Sequence, residues 1–285
     1  MDNEQKLLAM RKTAKIYLKR SESIIREVVP SILSKELETW LPKRRLMDPA
    51  IFISKAICNL EGHIYGEREL RISVLAGSAA AVSDDLIDSK SNIPCNRLRL
   101  LEDYGRNVES GSLGLFRAFN QGLLGTLPTD FREQFKETIR QYNKAQEDSA
   151  RLFYPLITRD EVMDIKDRAG GYSILLLHAM MFPNEGVMVT NPNYQRNPIT
   201  KQESLYNYGA WLSRVDDLWD ATKDGSRGMK QLATERIVTW ESLPTETQRM
   251  KKGLEAHFSR ARVKDMIEEH YAPLIDIEIF TKYGI

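Results

Sequence analysis

Three features of the sequence predict an almost entirely α-helical, single-domain bundle over residues 1–285. Apolar residues recur at spacings of three and four nearly throughout. Alternating β-branched runs bounded by turn signals are scarce. Proline, glycine and asparagine punctuate the chain at intervals that suit helices. These divisions place helices at about 4–28, 30–41, 49–65, 68–89, 94–107, 112–124, 129–155, 159–182, 199–224 and 244–280, the last broken near Gly253 or Ala261. Asp48-Pro49 supplies an N-cap followed by proline at the first helical position, and Pro128-Thr129-Asp130 opens another helix in a similar way. From Asn184 to Pro198 the composition turns to Asn, Pro, Gly and Val, a long loop that suits a hairpin, a lid or disorder. No internal repeat or low-complexity tract argues for a solenoid.

Composition narrows the function classes. Apolar residues make up 42% and charged residues 28%, as in a soluble globule rather than a disordered polymer or a membrane bundle. A formal charge of +1 lacks the positive excess of general nucleic-acid or anionic-membrane binders. The most apolar stretch, Tyr172 to Phe182, is about half the roughly 20 residues a spanning helix needs, so no stable membrane insertion is expected. Cys58 and Cys95 offer neither a disulfide framework nor a zinc quartet, and Met1-Asp2-Asn3-Glu4 is unlike the start of a signal peptide, which predicts a reduced, cytoplasmic protein. The four histidines have no Glu-x-x-His or His-x-x-x-His neighbourhood, and no Gly-rich phosphate loop occurs. Di-iron bundles, zincins and P-loop enzymes therefore lack their ligands.

Two acidic motifs stand out. With 17 aspartates in the chain, Asp-Asp-x-x-Asp is expected by chance about 0.06 times. It occurs as Asp84-Asp85-Leu86-Ile87-Asp88 and again as Asp216-Asp217-Leu218-Trp219-Asp220, the second extended by Asp224. On a helix Asp84, Asp88 and Asp85 lie at about 0°, 40° and 100°, and Asp216, Asp220, Asp224 and Asp217 at about 0°, 40°, 80° and 100°, one acidic stripe in each case. Each stripe ends a largely apolar helix, where carboxylates repel one another and the helix carbonyls. Hard divalent cations relieve that repulsion: Mg²⁺ takes oxygen ligands and bridges carboxylates to phosphate oxygens, so a diphosphate substrate is expected. Facing one another, the stripes would pull a diphosphate off an allylic carbon by stabilising the leaving group. Alternatively, the clusters are solvated helix ends paired with Arg214, Lys223, Arg227 or Lys90.

Further residues suit the same chemistry. Between the motifs, Lys166-Asp167-Arg168 runs into Gly170-Gly171-Tyr172, where the glycine pair marks either backbone facing a substrate or close helix packing. Arg168 suits bidentate contact with a diphosphate, and Arg227 and Lys230, beside Gly225 and Gly228, suit a segment that folds over the same anion. Phe153, Tyr154, Tyr172, Tyr206, Tyr208 and Trp211 offer aromatic faces that stabilise a carbocation without reacting with it, or else plain core.

An all-helical chain with Asp-rich motifs near 84 and 216 resembles the class I isoprenoid synthase fold, the family of trans-prenyl diphosphate synthases and terpene cyclases. The resemblance implies that Asp84, Asp85 and Asp88, with Asp216, Asp217, Asp220 and Asp224, bind three Mg²⁺ ions and the diphosphate at the mouth of a helical bundle. Chain elongation in that family uses Gly-Lys-Arg-x-Arg-Pro and Arg-Arg-Gly signatures. Here Pro42-Lys43-Arg44-Arg45 echoes the first, Ser89-Lys90-Ser91-Asn92-Ile93 replaces the second, and Arg168-Ala169-Gly170 stands where the family has Lys-Thr-Gly. These departures favour cyclisation of one linear prenyl diphosphate. Val29-Pro30, Lys35-Glu36-Leu37, Trp40, Met47-Asp48-Pro49, Glu61-Gly62 and Ser83-Asp84 with Asp88 are similar to the bacterial large-terpene synthases of the tetraprenyl-β-curcumene synthase family. The expected function is a Mg²⁺-dependent terpene synthase that releases pyrophosphate, with a homodimer left open. A trans-prenyl diphosphate synthase and a non-catalytic helical interaction protein are the alternatives. Replacing Asp84 or Asp217 by alanine is expected to abolish turnover and spare the fold.

Overall fold

The computed structural model describes residues 3–43, 47–88, 111–185, 194, 200–226 and 232–272. The described residues are helices and turns, with no strand among them. The α-helices are α1 Asn3–Val28, α2 Ser34–Trp40, α3 Met47–Glu61, α4 Glu67–Asp88, α5 Gly111–Leu124, α6 Phe131–Gln134, α7 Lys136–Asp148, α8 Arg159–Met181, α9 Lys201–Ser226, α10 Leu243–Glu255 and α11 Arg260–Asp265. The helix expected at 94–107 lies outside the described residues, as does most of the loop expected at 184–198. No described helix is long and apolar enough to cross a membrane.

Four expected helices differ from those found. The one expected at 30–41 is a 3₁₀ turn Ser31–Leu33, α2 and a second 3₁₀ turn Leu41–Lys43. The third ends at Glu61 rather than Tyr65. Gly62 takes φ 71°, its amide donates to the Asn59 carbonyl at 3.0 Å and that of His63 to the Cys58 carbonyl at 2.8 Å, a left-handed glycine stop. The long helix expected over 129–155 is three pieces: α6, α7 and a 3₁₀ turn Ser149–Phe153. Phe135, buried at φ −107° and ψ 16°, interrupts the helical path between α6 and α7. The last helix breaks over residues 256–259, between the two positions expected, where Ser259 turns extended. It resumes as α11 and a π-helical turn, Met266–Tyr271, and residues 273–280 lie outside the described set.

Contacts divide the chain into two compact units, one of residues 8–134 with 180–183 and the other of residues 1–7, 135–179 and 184–285. In the first, α4 packs against α3 and α5. Its core is built from Ile57, Leu60, Ile72, Val74, Leu75, Phe116 and Phe119, with the rings of Trp40 and Phe119 5.1 Å apart. Burying such side chains contributes about 1.5–3 kcal/mol each, which is why helices of modest intrinsic stability persist.

In the second unit, α8 and α9 begin with the same device. Thr158 Oγ1 accepts from the Glu161 amide at 3.3 Å while Glu161 Oε2 accepts from the Thr158 amide at 2.9 Å. Thr200 and Glu203 repeat this reciprocal capping at 3.1 and 2.9 Å. The caps satisfy orphan donors at both helix starts, fixing where α8 and α9 begin.

Candidate functional site on the paired helices α8 and α9

Glycines set the distance between α8 and α9. A Cβ on Gly170 would come within 2.3 Å of the Gly209 carbonyl oxygen, and one on Gly209 within 2.2 Å of the Gly170 oxygen. A Cβ on Gly171 would sit 2.3 Å from the Tyr206 ring. Of the two roles the glycine pair suits, close helix packing is the one the contacts fill, because backbone touches backbone where any side chain would intervene.

At this close approach the helices exchange charge. Lys166 Nζ on α8 lies 2.8 Å from Asp217 Oδ1 on α9. One residue and three residues along, the signs reverse: Arg214 Nη2 on α9 donates to Asp167 Oδ1 at 2.9 Å and Oδ2 at 3.1 Å. The side chains of Asp217 and Arg214 are 1% and 4% exposed. Asp217 also accepts, through Oδ2, from the Leu232 amide at 2.8 Å. The Arg214 guanidinium stacks on Tyr194, 4.1 Å from the ring centre. Burial pushes the Asp167 carboxyl up to about 7 against the pull of Arg214, with the charges of Glu246, Asp164 and Asp217 acting in the same direction as burial.

The second acidic cluster is therefore divided. Asp217 is buried between α8 and α9, Asp216 is exposed and Asp220 is half-buried. The roughly 100° between Asp216 and Asp217 is enough to send them to different surroundings, while Asp216 and Asp220 remain one turn apart. Asp217 finds its cation across the helix pair in Lys166, and Arg214, a cation expected to neutralise the cluster from its own helix, engages Asp167 instead. Removing Asp217 breaks a largely buried ion pair with Lys166 and the bond to the Leu232 amide, so the alanine variant is expected to cost stability as well as turnover.

Arg168 is held by Asp164 through Nε and by Asp148 through Nη2, both at 2.9 Å, with its side chain 17% exposed. Tyr172 is buried with its ring edge-on to Tyr206 at 5.5 Å, and Phe153 is half-buried at the end of its 3₁₀ turn. Tyr208 and Trp211 are wholly buried on α9. Trp211 donates from Nε1 to Thr247 Oγ1 at 3.1 Å and meets the Tyr271 ring at 5.1 Å, and the Tyr208 and Tyr271 hydroxyls share a hydrogen bond. These aromatic faces lie against one another, α10 and the π-helical turn.

In the first cluster Asp85 is half-buried near the end of α4, in the other unit. The side chains of Asp84, Asp88 and Asp224 lie outside the described set, as do the residues Arg227 and Lys230. The roles of Lys166, Asp167 and Arg214 as interhelical pairs were missed in the sequence. The available signal was a shared face: Lys166 and Asp167 precede Gly170 by four and three residues, and Gly209, Ser213 and Asp217 recur every four.

As a donor set for a hard cation, Asp216 and Asp220 fit: two carboxylates one helical turn apart, neither wholly buried. Asp217 Oδ2 accepts the Leu232 amide, while its buried Oδ1 is ion-paired with Lys166 without hydrogen-bond geometry. No family model matches the chain, and neither a curated protein nor a solved structure matches it.

Proposed function

We propose that the protein is a Mg²⁺-dependent class I terpene synthase that ionises a linear prenyl diphosphate and cyclises the resulting carbocation with release of pyrophosphate. The observation that carries this reading is the twice-occurring Asp-Asp-x-x-Asp pattern, each copy in the C-terminal part of a long helix. The split environment of the second copy supports it: Asp217 is buried in the helix pair, while Asp216 is exposed and Asp220 half-buried.

In this reading Asp216 and Asp220 hold Mg²⁺ on α9, and the first motif, Asp84, Asp85 and Asp88, offers metal ligands of the same spacing on α4. When bound, the metal supplies Lewis-acid stabilisation of the departing diphosphate. Arg168, oriented by Asp148 and Asp164, offers positive charge on α8, two residues from the Lys166 that pairs with Asp217. Aromatic and apolar side chains exclude water from the cation, which separates cyclisation from hydrolysis.

Purified protein incubated with Mg²⁺ and a panel of C10 to C25 allylic diphosphates, with and without isopentenyl diphosphate, tests the reading by gas chromatography. Cyclic hydrocarbons or alcohols from the allylic substrate alone are expected, with Asp216→Asn and Asp85→Asn inactive. Product formed only when isopentenyl diphosphate is present indicates chain elongation instead. Absence of Mg²⁺-dependent pyrophosphate binding by calorimetry indicates a non-catalytic helical protein.

A further inference from the structure

Two oppositely oriented charge pairs bridge the same two helices at the point where their backbones touch. On α8, Lys166 is positive and Asp167 is negative above about pH 7; on α9, Asp217 is negative and Arg214 positive. Slide α8 by one residue and Lys166 meets Arg214 or Asp167 meets Asp217, which sets like charges together in a largely buried interface. The Gly170–Gly209 contact restricts register sterically, since a Cβ at either position would come within 2.3 Å of the facing carbonyl oxygen, and the crossed pairs add an electrostatic selection to it.

Asp217 has a second attachment. Its Oδ2 accepts the Leu232 amide at 2.8 Å, so one carboxylate ties together α8, α9 and the turn that begins at Leu232. The same aspartate fixes how α9 is rotated about its axis. With Asp217 turned inward to Lys166, Asp216 is exposed and Asp220 half-buried.

We propose that Lys166, Asp167, Arg214 and Asp217 are positioning residues: a four-charge clamp that locks the register of α8 against α9 and thereby presents Asp216 and Asp220. The part concerning presentation rests on the terpene synthase reading. The clamp itself does not. Asp217 thus serves its neighbours rather than the metal, although it sits inside the acidic motif.

Lys166→Met, Asp217→Asn, their double variant and Asp216→Asn separate these claims. Each single clamp variant should lower the melting temperature by roughly 10 °C, because each breaks a largely buried ion pair from one side. The double variant should regain most of that loss, and Asp216→Asn, at an exposed position, should lower the melting temperature by less than either single clamp variant. Strictly additive losses in the double variant would overturn the clamp. Asp217→Asn keeps an acceptor for the Leu232 amide and should preserve its protection against hydrogen exchange, whereas Asp217→Ala should lose it. Equal protection in both would overturn the second attachment.

Mg²⁺-dependent pyrophosphate binding, followed by calorimetry, should be abolished in Asp216→Asn and weakened by less than tenfold in the Lys166→Met/Asp217→Asn double variant, which retains the fold. Equal loss in both would make Asp217 a metal ligand and overturn the division of roles. A wild type that binds no pyrophosphate would reject the terpene synthase reading, and the unfolding and exchange measurements would still decide the clamp.

Discussion

The interface between α8 and α9 and the packing of α3, α4 and α5 solve the same problem by different means. The first brings backbones together through glycine and holds register with buried charges. The second fills its space with Ile72, Val74, Leu75, Phe116 and Phe119, and leaves the buried hydroxyls of Ser54 and Ser78 without a hydrogen-bond partner among the described residues. Apolar packing is proportional to area and indifferent to sign, so it stabilises without selecting one alignment. Charge pairs are costly to bury and worthless when misaligned, so they select an alignment even where their net stabilisation is small. That contrast places positional specificity in the unit that carries Asp216 and Asp220.

The sharpest way to break the contrast is to remove one charge and, separately, one apolar group. Arg214→Met should cost about 3–5 kcal/mol, most of it recovered in the Asp167→Asn/Arg214→Met double variant. Leu75→Ala should cost about 2–5 kcal/mol and be rescued by no neutralising change. Urea unfolding of the three variants measures both, and failure of the double variant to recover would make the two interfaces equivalent.

Backbone contact gives the next effect. Gly209→Ala should destabilise by about 1–3 kcal/mol, because its Cβ would meet the Gly170 carbonyl rather than a movable side chain. An unchanged unfolding midpoint would show that the helix pair can widen without cost.

The pH dependence is smaller over the accessible range. The folded Asp167 carboxyl titrates near 7, above its ordinary value, because burial outweighs Arg214. A raised pKa means the folded state holds the proton more tightly, so this contribution is complete below about pH 4 and is lost as pH rises through 7. Between pH 5 and 7 the wild type should therefore lose about 2 kcal/mol relative to Asp167→Asn. A constant difference across that range would show that Asp167 stays ionised in its pair with Arg214.

Much of the fold was legible. The helices at 4–28, 68–89, 112–124, 159–182 and 199–224 were placed to within about two residues, because long amphipathic or apolar runs carry a strong 3.6-residue signal. The paired Thr-x-x-Glu signals at Thr158 and Thr200 were present in the sequence as well, since capping needs only neighbours three residues apart. The interruption at Phe135 was not legible. A buried phenylalanine is compatible with a continuous helix, and only its surroundings bend the chain there.

What the sequence determined by itself about the site was its chemistry: two acidic motifs of one spacing, carried on helices. Which aspartate serves which purpose depended on tertiary structure. Neighbours on a helix differ by about 100° in direction, and nothing local distinguishes the one that turns toward solvent. Lys166 decides it from 51 positions away, because a buried carboxylate is tolerated only where a cation from another helix arrives to meet it.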